Sequence, residues 1–329
     1  MHAPLTWQQE LSRAVEDPQE LLTLLALDAQ LLAGAVTASQ LFPLRVPRAF
    51  IARMRKNDIT DPLLAQVLPL GIEQHSPTDY SADPLQEADY NPIPGLLHKY
   101  QNRVLLTITG SCAINCRFCF RRNFPYYANN PGKAGWQQVI DYIAADNSIE
   151  EVIFSGGDPL NASDKLLAWL TEQLAQIPHL QRLRIHTRLP IVIPARVTEE
   201  LLAWLTSTRL KPVMILHANH AQELDDNVQH AISLMADKQI TLLSQSVLLR
   251  GINDTASVLI HLSKRLFACR VLPYYLHVLD KTQGTAHFDV PLSVAKELHK
   301  EMAKQLSGYL VPRLVQEVAG MPSKVVVGN

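Results

Sequence analysis

An excess of positive charge is missing from this chain: 30 Lys and Arg stand against 31 Asp and Glu, for a net charge of −1. Aromatic residues are scarce, at 6% of 329 positions, and no Lys/Arg stripe is interleaved with them. A nucleic-acid grip built on phosphate neutralisation is thereby excluded. A long uncharged run is missing too. The greasiest stretch, LLTLLALDAQLLAGAV, is interrupted by Asp28 before it reaches the roughly 18 residues a membrane span requires. It reads instead as a buried helix. The start, MHAPLTWQQELSRAVEDP, lacks a basic segment followed by an apolar one, so secretion is not signalled. Cysteine is sparse as well. Four residues, three of them clustered, fit a reducing cytoplasm better than a disulfide scaffold.

What is present is a globular composition, 47% apolar and 19% charged, in a chain long enough for a large core. No short-period repeat or low-complexity tract interrupts it. Residues 1–95 read as helices and connections, ending in SPTDYSADPLQEADYNPIPG, a long surface connection. A rhythm then begins. Apolar or β-branched runs at 104–109, 151–155, 183–187, 212–217, 240–247 and 271–278 alternate with helical periodicities such as DKLLAWLTEQLAQI and ASVLIHLSKRLF. Six strands alternating with six helices predict a parallel sheet, an α/β fold of the partial (β/α)6 barrel kind over residues 96–310. Residues 311–329 form a closing segment. Gly110 follows the first run, and Gly156 and Gly157 follow the second, on the sheet edge where such folds build their sites.

Directly after the first strand lies GSCAINCRFCFRR, with Cys112, Cys116 and Cys119 spaced C-x3-C-x2-C. A C-x-x-C redox pair would use Cys116 and Cys119 and leave Cys112 idle. A zinc site would need the distant Cys269 as its fourth ligand. Three thiolates at these intervals can instead take three irons of a [4Fe–4S] cluster and leave the fourth open. After the second strand, SGGDPL offers two glycines for close backbone approach and Asp158 as an acceptor for an ammonium group. By itself, that is also an ordinary strand-to-helix turn. His217 and His220, in HANH, read as polar residues at a barrel mouth as readily as metal ligands.

The cysteine spacing, with Phe118 before the third thiol, resembles the signature of the radical S-adenosylmethionine enzymes. The resemblance narrows to the lysine 2,3-aminomutase family over roughly residues 40–329, carried by FPLRVPRAFIARM, RVLLTITGSCAINCRFCFRR, EVIFSGGDPL, RIHTRLPIVIPARVT, HANH, SQSVLLRGIND, PYYLHVLDKTQGTAHF and EVAGMPSKVVV. Within it, the chain is similar to the short bacterial members that make (R)-β-lysine for elongation factor P. The resemblance implies an isomerase using a [4Fe–4S] cluster on Cys112, Cys116 and Cys119, with S-adenosylmethionine bound by Gly156, Gly157, Asp158 and Gln245. It implies pyridoxal phosphate on Lys324, an ordered strand after that lysine, and Arg103 and Lys99 toward the phosphate. Arg121 would meet the substrate carboxylate, and Asp280 and Glu317 the distal ammonium of L-lysine. A reducing electron donor is required, and a homo-oligomer is compatible. No zinc is implied, because Thr255 stands where the larger members carry a cysteine, and Cys269 reads as a buried thiol.

Two rival functions remain at this stage. One is an aminomutase acting on glutamate, arginine or ornithine, although Asp280 and Glu317 oppose a glutamate side chain by like charge. The other is an iron–sulfur electron carrier without turnover, which would need neither Lys324 nor SGGDPL.

Overall fold

The computed structural model describes residues 5–328. Nine strands form one sheet in strictly sequential order. They are β1 (Leu96–Tyr100), β2 (Arg103–Thr109), β3 (Glu151–Gly156), β4 (Arg182–Thr187), β5 (Lys211–His217), β6 (Thr241–Val247), β7 (Leu272–His277), β8 (Arg313–Gln316) and β9 (Val325–Val326). Strands β2 to β8 run parallel, and β1 and β9 close the two ends antiparallel. The six predicted strands correspond to β2 through β7, and the strand expected after Lys324 is β9. Six crossovers need a seventh parallel strand, which is β8, a run of only four residues.

The helices are α1 (Trp7–Ser12), α2 (Pro18–Leu24), α3 (Leu32–Leu41), α4 (Arg48–Ile51), α5 (Gly132–Ala145), α6 (Asp164–Ala175), α7 (Leu189–Val192), α8 (Glu199–Thr206), α9 (Asp226–Asp237), α10 (Ala256–Ala268) and α11 (Leu292–Gln305). Side-chain caps start several of them. Ser163 accepts from Leu166 N at α6, Thr198 from Leu201 N at α8, Asp225 from Val228 N at α9 and Thr255 from Val258 N at α10. Thr255 is thus a capping residue. Cys269 ends the same helix as a buried thiol. Among the described residues, no helix is long and apolar enough to cross a membrane.

The greasy N-terminal run is not one helix. It divides into α2 and α3, because Ala26 adopts a left-handed conformation and Asp28 caps a new turn through Gln30 N. Leu21, Leu22 and Leu25 still reach the core. That core is continuous: Leu22, Val46 and Phe50 belong to the same apolar cluster as Leu106, Phe154 and Ile185 of the strands.

The Pro- and Asp-rich connection does more than cross the surface. Ser81 N donates to Lys281 O (3.0 Å), Gln283 N to Ser81 O (3.0 Å) and Gly284 N to the Ser76 hydroxyl (2.8 Å). The segment is a strap laid against the loop that follows β7.

Candidate active site

A cavity of about 810 Å³ occupies the barrel interior, within the size range of small-molecule sites. Cys112, Cys116 and Cys119 line it, together with Gly156, Gly157, Asp158, Gln245, Arg121, Asp280, Lys99, Arg103, Glu317 and Lys324. Every site residue expected from the sequence therefore faces one space.

The cysteine loop is held from behind. Arg117, between Cys116 and Cys119, turns away from the cavity and is fully buried. Its guanidinium donates to Glu73 (2.9 and 2.5 Å) and to Phe42 O (2.6 Å). Arg122 reaches the same carboxylate at 3.1 Å. In front, Arg188 at the end of β4 donates to Cys116 Sγ at 2.8 Å and to Glu223 at 2.9 Å. A cationic donor on a ligating sulfur is the outer-shell contact a metal thiolate takes. Burial, with the neighbouring thiols adding to it, raises the Cys112 thiol far above its usual range and the Cys119 thiol to about 12. Both are protonated until a metal displaces the proton. Among the described residues, no three His, Cys, Asp or Glu side chains converge on one metal ion. Thiols that each take a different iron of a cluster need no such convergence. The donor set fits the cluster.

The SGGDPL loop departs from its expected use. Gly156 has φ +113°, and a Cβ there would lie 2.7 Å from Thr109 O; at Gly157 it would lie 2.5 Å from Ser111 O. The glycines let this loop press on the backbone of the cysteine loop, to which Gly157 N and Asp158 N also bond (2.7 and 3.0 Å). Asp158 is buried, which raises its carboxyl. Its oxygens accept from Leu160 N, Thr187 Oγ1, Arg188 N and Leu189 N (2.7–3.1 Å). Four donors fill a carboxylate's lone pairs. Asp158 therefore acts as a clamp between the ends of β3 and β4, and a ligand ammonium would have to meet other acceptors.

Three histidines of the cavity wall each keep a polar atom without a partner. The Nε2 atoms of His186, His217 and His277 are buried with no protein partner. Burial lowers all three rings, His217 and His277 to about 3, so they are neutral. His217 stacks on Phe118 (5.6 Å between centroids), and His220 caps a turn through Gln222 N. Gln245 lies in register between His217 and Tyr275. Orphaned buried donors and acceptors in a roomy space are what an occupying ligand satisfies.

At the closing edge of the sheet, Glu317 is fully engaged. It forms an ion pair with Lys324, accepts from Lys99 Nζ at 2.9 Å and accepts from the Tyr100 hydroxyl. Burial opposes its ionisation, but the Lys324 charge and these hydrogen bonds hold its carboxyl down at about 2. Glu317 is thus the counter-ion of Lys324, rather than a free partner for a distal ammonium, and Lys99 is turned to it rather than to a phosphate. Asp280 is the opposite case. Its carboxylate takes no protein hydrogen bond among the described residues, and burial pushes it up to about 7, with Glu317 and Glu87 adding to the rise.

Arg121 is buried, with three of its five N–H donors engaged. Nε and Nη2 meet both Glu87 oxygens (2.8 and 2.6 Å), and Nη1 donates to Ser155 Oγ (3.1 Å). Glu87 comes from the strap, and sequence reasoning passed over it as surface. Arg188 was missed as well. Its position just past a strand end, in HTR, was the available signal.

No family model matches the chain. The L-lysine 2,3-aminomutase of Escherichia coli (strain K12) is 51% identical to it, over 97% of this chain and 93% of that protein. The chain belongs to the lysine 2,3-aminomutase family. The Haemophilus influenzae member is 49% identical over 97% of this chain and 95% of its own length; the Clostridium subterminale member is 33% identical over 98% and 77%. Among solved structures, Streptococcus suis SuiB bound to S-adenosylmethionine superposes with a TM-score of 0.50 at 13% identity. That match covers 70% of this chain and about half, 52%, of SuiB, and it establishes the radical S-adenosylmethionine type of fold for this member of the aminomutase family.

Proposed function

We propose that this aminomutase isomerises L-α-lysine to (R)-β-lysine, using a [4Fe–4S] cluster with S-adenosylmethionine and pyridoxal phosphate on Lys324. The observation that carries the reading is one cavity lined by three thiols, Lys324, Arg121 and Asp280 together. Those groups, when bound, supply a carbon radical that abstracts hydrogen and a C=N bond through which nitrogen can migrate. The chain's own residues bind, orient and exclude water. Cys112, Cys116 and Cys119 hold the cluster, and Gly156, Gly157 and Gln245 border the space beside it. Lys324 is aimed by its ion pair with Glu317. Asp280 meets the distal ammonium, and Arg121 the α-carboxylate. Similarity to short bacterial members supports elongation factor P as the product's destination, in the cytoplasm and with a one-electron donor. The test is anaerobic incubation of reconstituted protein with lysine, glutamate, arginine and ornithine in turn. Turnover of an amino acid other than lysine, or of none, would overturn the reading.

Asp280 makes the pH dependence specific. In the unfolded chain its carboxyl ionises near the ordinary 3.8, and in the fold near 7. The folded state binds that proton more tightly, so its contribution to stability is lost as pH rises through this window. Asp280→Asn has no such loss. The variant should melt higher than the parent at about pH 8, with the difference shrinking toward about pH 5. Lysine binding should weaken by about 2–5 kcal/mol, because the ammonium loses a charged partner. Thermal unfolding across pH, with and without lysine, reads both effects. Parallel pH profiles for the two proteins would mean Asp280 does not titrate there.

Glu87 shares Arg121 with the incoming carboxylate. Glu87→Gln leaves a buried guanidinium without its counter-ion, at a cost of about 3–5 kcal/mol in stability. Lysine then supplies the missing charge. Its addition should raise the Tm of Glu87→Gln by more than it raises that of the parent, as differential scanning fluorimetry would show. Equal shifts would place the substrate carboxylate elsewhere.

A further inference from the structure

We infer that Arg313 is a second phosphate-holding cation of the cofactor site, acting with Arg103, and that Lys99 is not one. The inference rests on the reading that Lys324 takes pyridoxal phosphate. It starts from a charge balance inside the cavity. Lys99 and Lys324 share Glu317. Arg121 is matched by Glu87, Arg184 by Glu151 at 2.7 Å, and Arg188 by Glu223. Among the described residues, the cavity-lining cations left without a carboxylate are Arg103 and Arg313. Arg103 has one side-chain hydrogen bond, to Asn102 Oδ1, and lies 4.2 Å from the Tyr100 ring centroid. Two unneutralised guanidiniums on one cavity wall are a site for a dianion, and the planar fork suits phosphate oxygens.

Each of the two arginines opens a parallel strand, Arg103 in β2 and Arg313 in β8. Arg313, Val315 and Glu317 alternate onto the cavity face, so Arg313 lies about 13 Å below Glu317 along the strand at about 3.3 Å per residue. Arg313 stands opposite Tyr275 in the β7–β8 register. Tyr275 in turn lies within electrostatic reach of Tyr100, the residue on which Arg103 stacks. Tyr100 also donates to Glu317, the carboxylate that holds Lys324. Consecutive contacts link Lys324, Glu317, Tyr100 and Arg103, so an aldehyde on Lys324 and a phosphate at Arg103 fall in one site, whose wall Arg313 also lines. Lys99 directs its side chain to Glu317 at 2.9 Å, and its charge is matched there.

The test compares pyridoxal phosphate with pyridoxal, which lacks the phosphate. Each is titrated into the full-length protein and followed by imine absorbance and borohydride trapping at Lys324. The readout is the ratio of the two affinities, which cancels any effect on Lys324 itself. Arg313→Gln should cut the preference for the phosphorylated aldehyde by about 10- to 100-fold, the loss of one charge-assisted contact. Arg313→Lys should recover part of it, and Lys99→Gln should leave it unchanged. Arg313 is exposed, so the variant should fold, which an unchanged Tm would confirm. A full parental ratio in Arg313→Gln overturns the inference alone. An equal loss in Lys99→Gln overturns the exclusion of Lys99. A parent protein that takes up neither aldehyde defeats the underlying reading and this one with it.

Discussion

Lys324→Ala protein should take up no pyridoxyl label on its C-terminal peptide after borohydride reduction, and its amino migration should fall to background. The fold gives no reason for wider damage. Lys324 is only half-buried, and it precedes a two-residue strand whose pairing with β8 uses backbone atoms. Glu317 would keep Lys99 and the Tyr100 hydroxyl as partners, so no buried carboxylate is stranded. The cysteine loop, Arg188 and the SGGDPL loop share no ligand with Lys324, so iron content and S-adenosylmethionine binding should be those of the parent. Without an amine to condense, there is no covalent attachment and no C=N bond for nitrogen to cross. The nearest competitor is Lys99, held by the same carboxylate. A trapped adduct on Lys99, or full activity in Lys324→Ala, would defeat the assignment.

Removing any one of Cys112, Cys116 or Cys119 should bring iron from about four per chain to near zero and abolish reductive cleavage of S-adenosylmethionine. In the proposed site each thiol serves a separate iron, and Cys269, buried at the end of α10, is not placed to replace a lost one. Cys269→Ala should cost a little packing and no iron. The two outcomes are read by iron analysis and by 5′-deoxyadenosine formation with a chemical reductant. Iron retained by a Cys116→Ala protein but lost from Cys269→Ala would mean that the cluster is ligated differently.

Much of this was legible in the chain because it is local. The apolar or β-branched runs and the helical periodicities between them mark β2 to β7 and their helices, while the cysteine spacing and, through the family resemblance, Lys324 mark residues of the cavity wall. Less legible was whatever depends on a distant partner. Strand β8 is RLVQ, too short to show alternation, and β1 is LLHKY, whose polar half hides its pairing with β2. Glu87 and Arg188 carry charge that matters only because Arg121 and Cys116 are brought to them by the fold. Likeness to the family points Glu317 at the substrate. The seven-residue return from β8 to Lys324 instead delivers it to that lysine. Asp158 was read as a ligand acceptor, and the backbone of the next strand end had already claimed it.

One buried carboxylate limits how this molecule can be divided. Glu73 sits in the N-terminal third, yet it is the counter-ion for Arg117 and Arg122 on the cysteine loop, at no solvent exposure. Stranding those guanidiniums would cost about 3–5 kcal/mol, a large share of an ordinary domain's stability. The barrel is therefore not a portable module. A chimera joined before residue 73 or beyond residue 122 keeps the carboxylate and its two arginines together, whereas a junction between those positions is tolerated only if the partners still match. In this sense the segment that precedes the barrel is a built-in scaffold for the thiols, inherited with them as one unit.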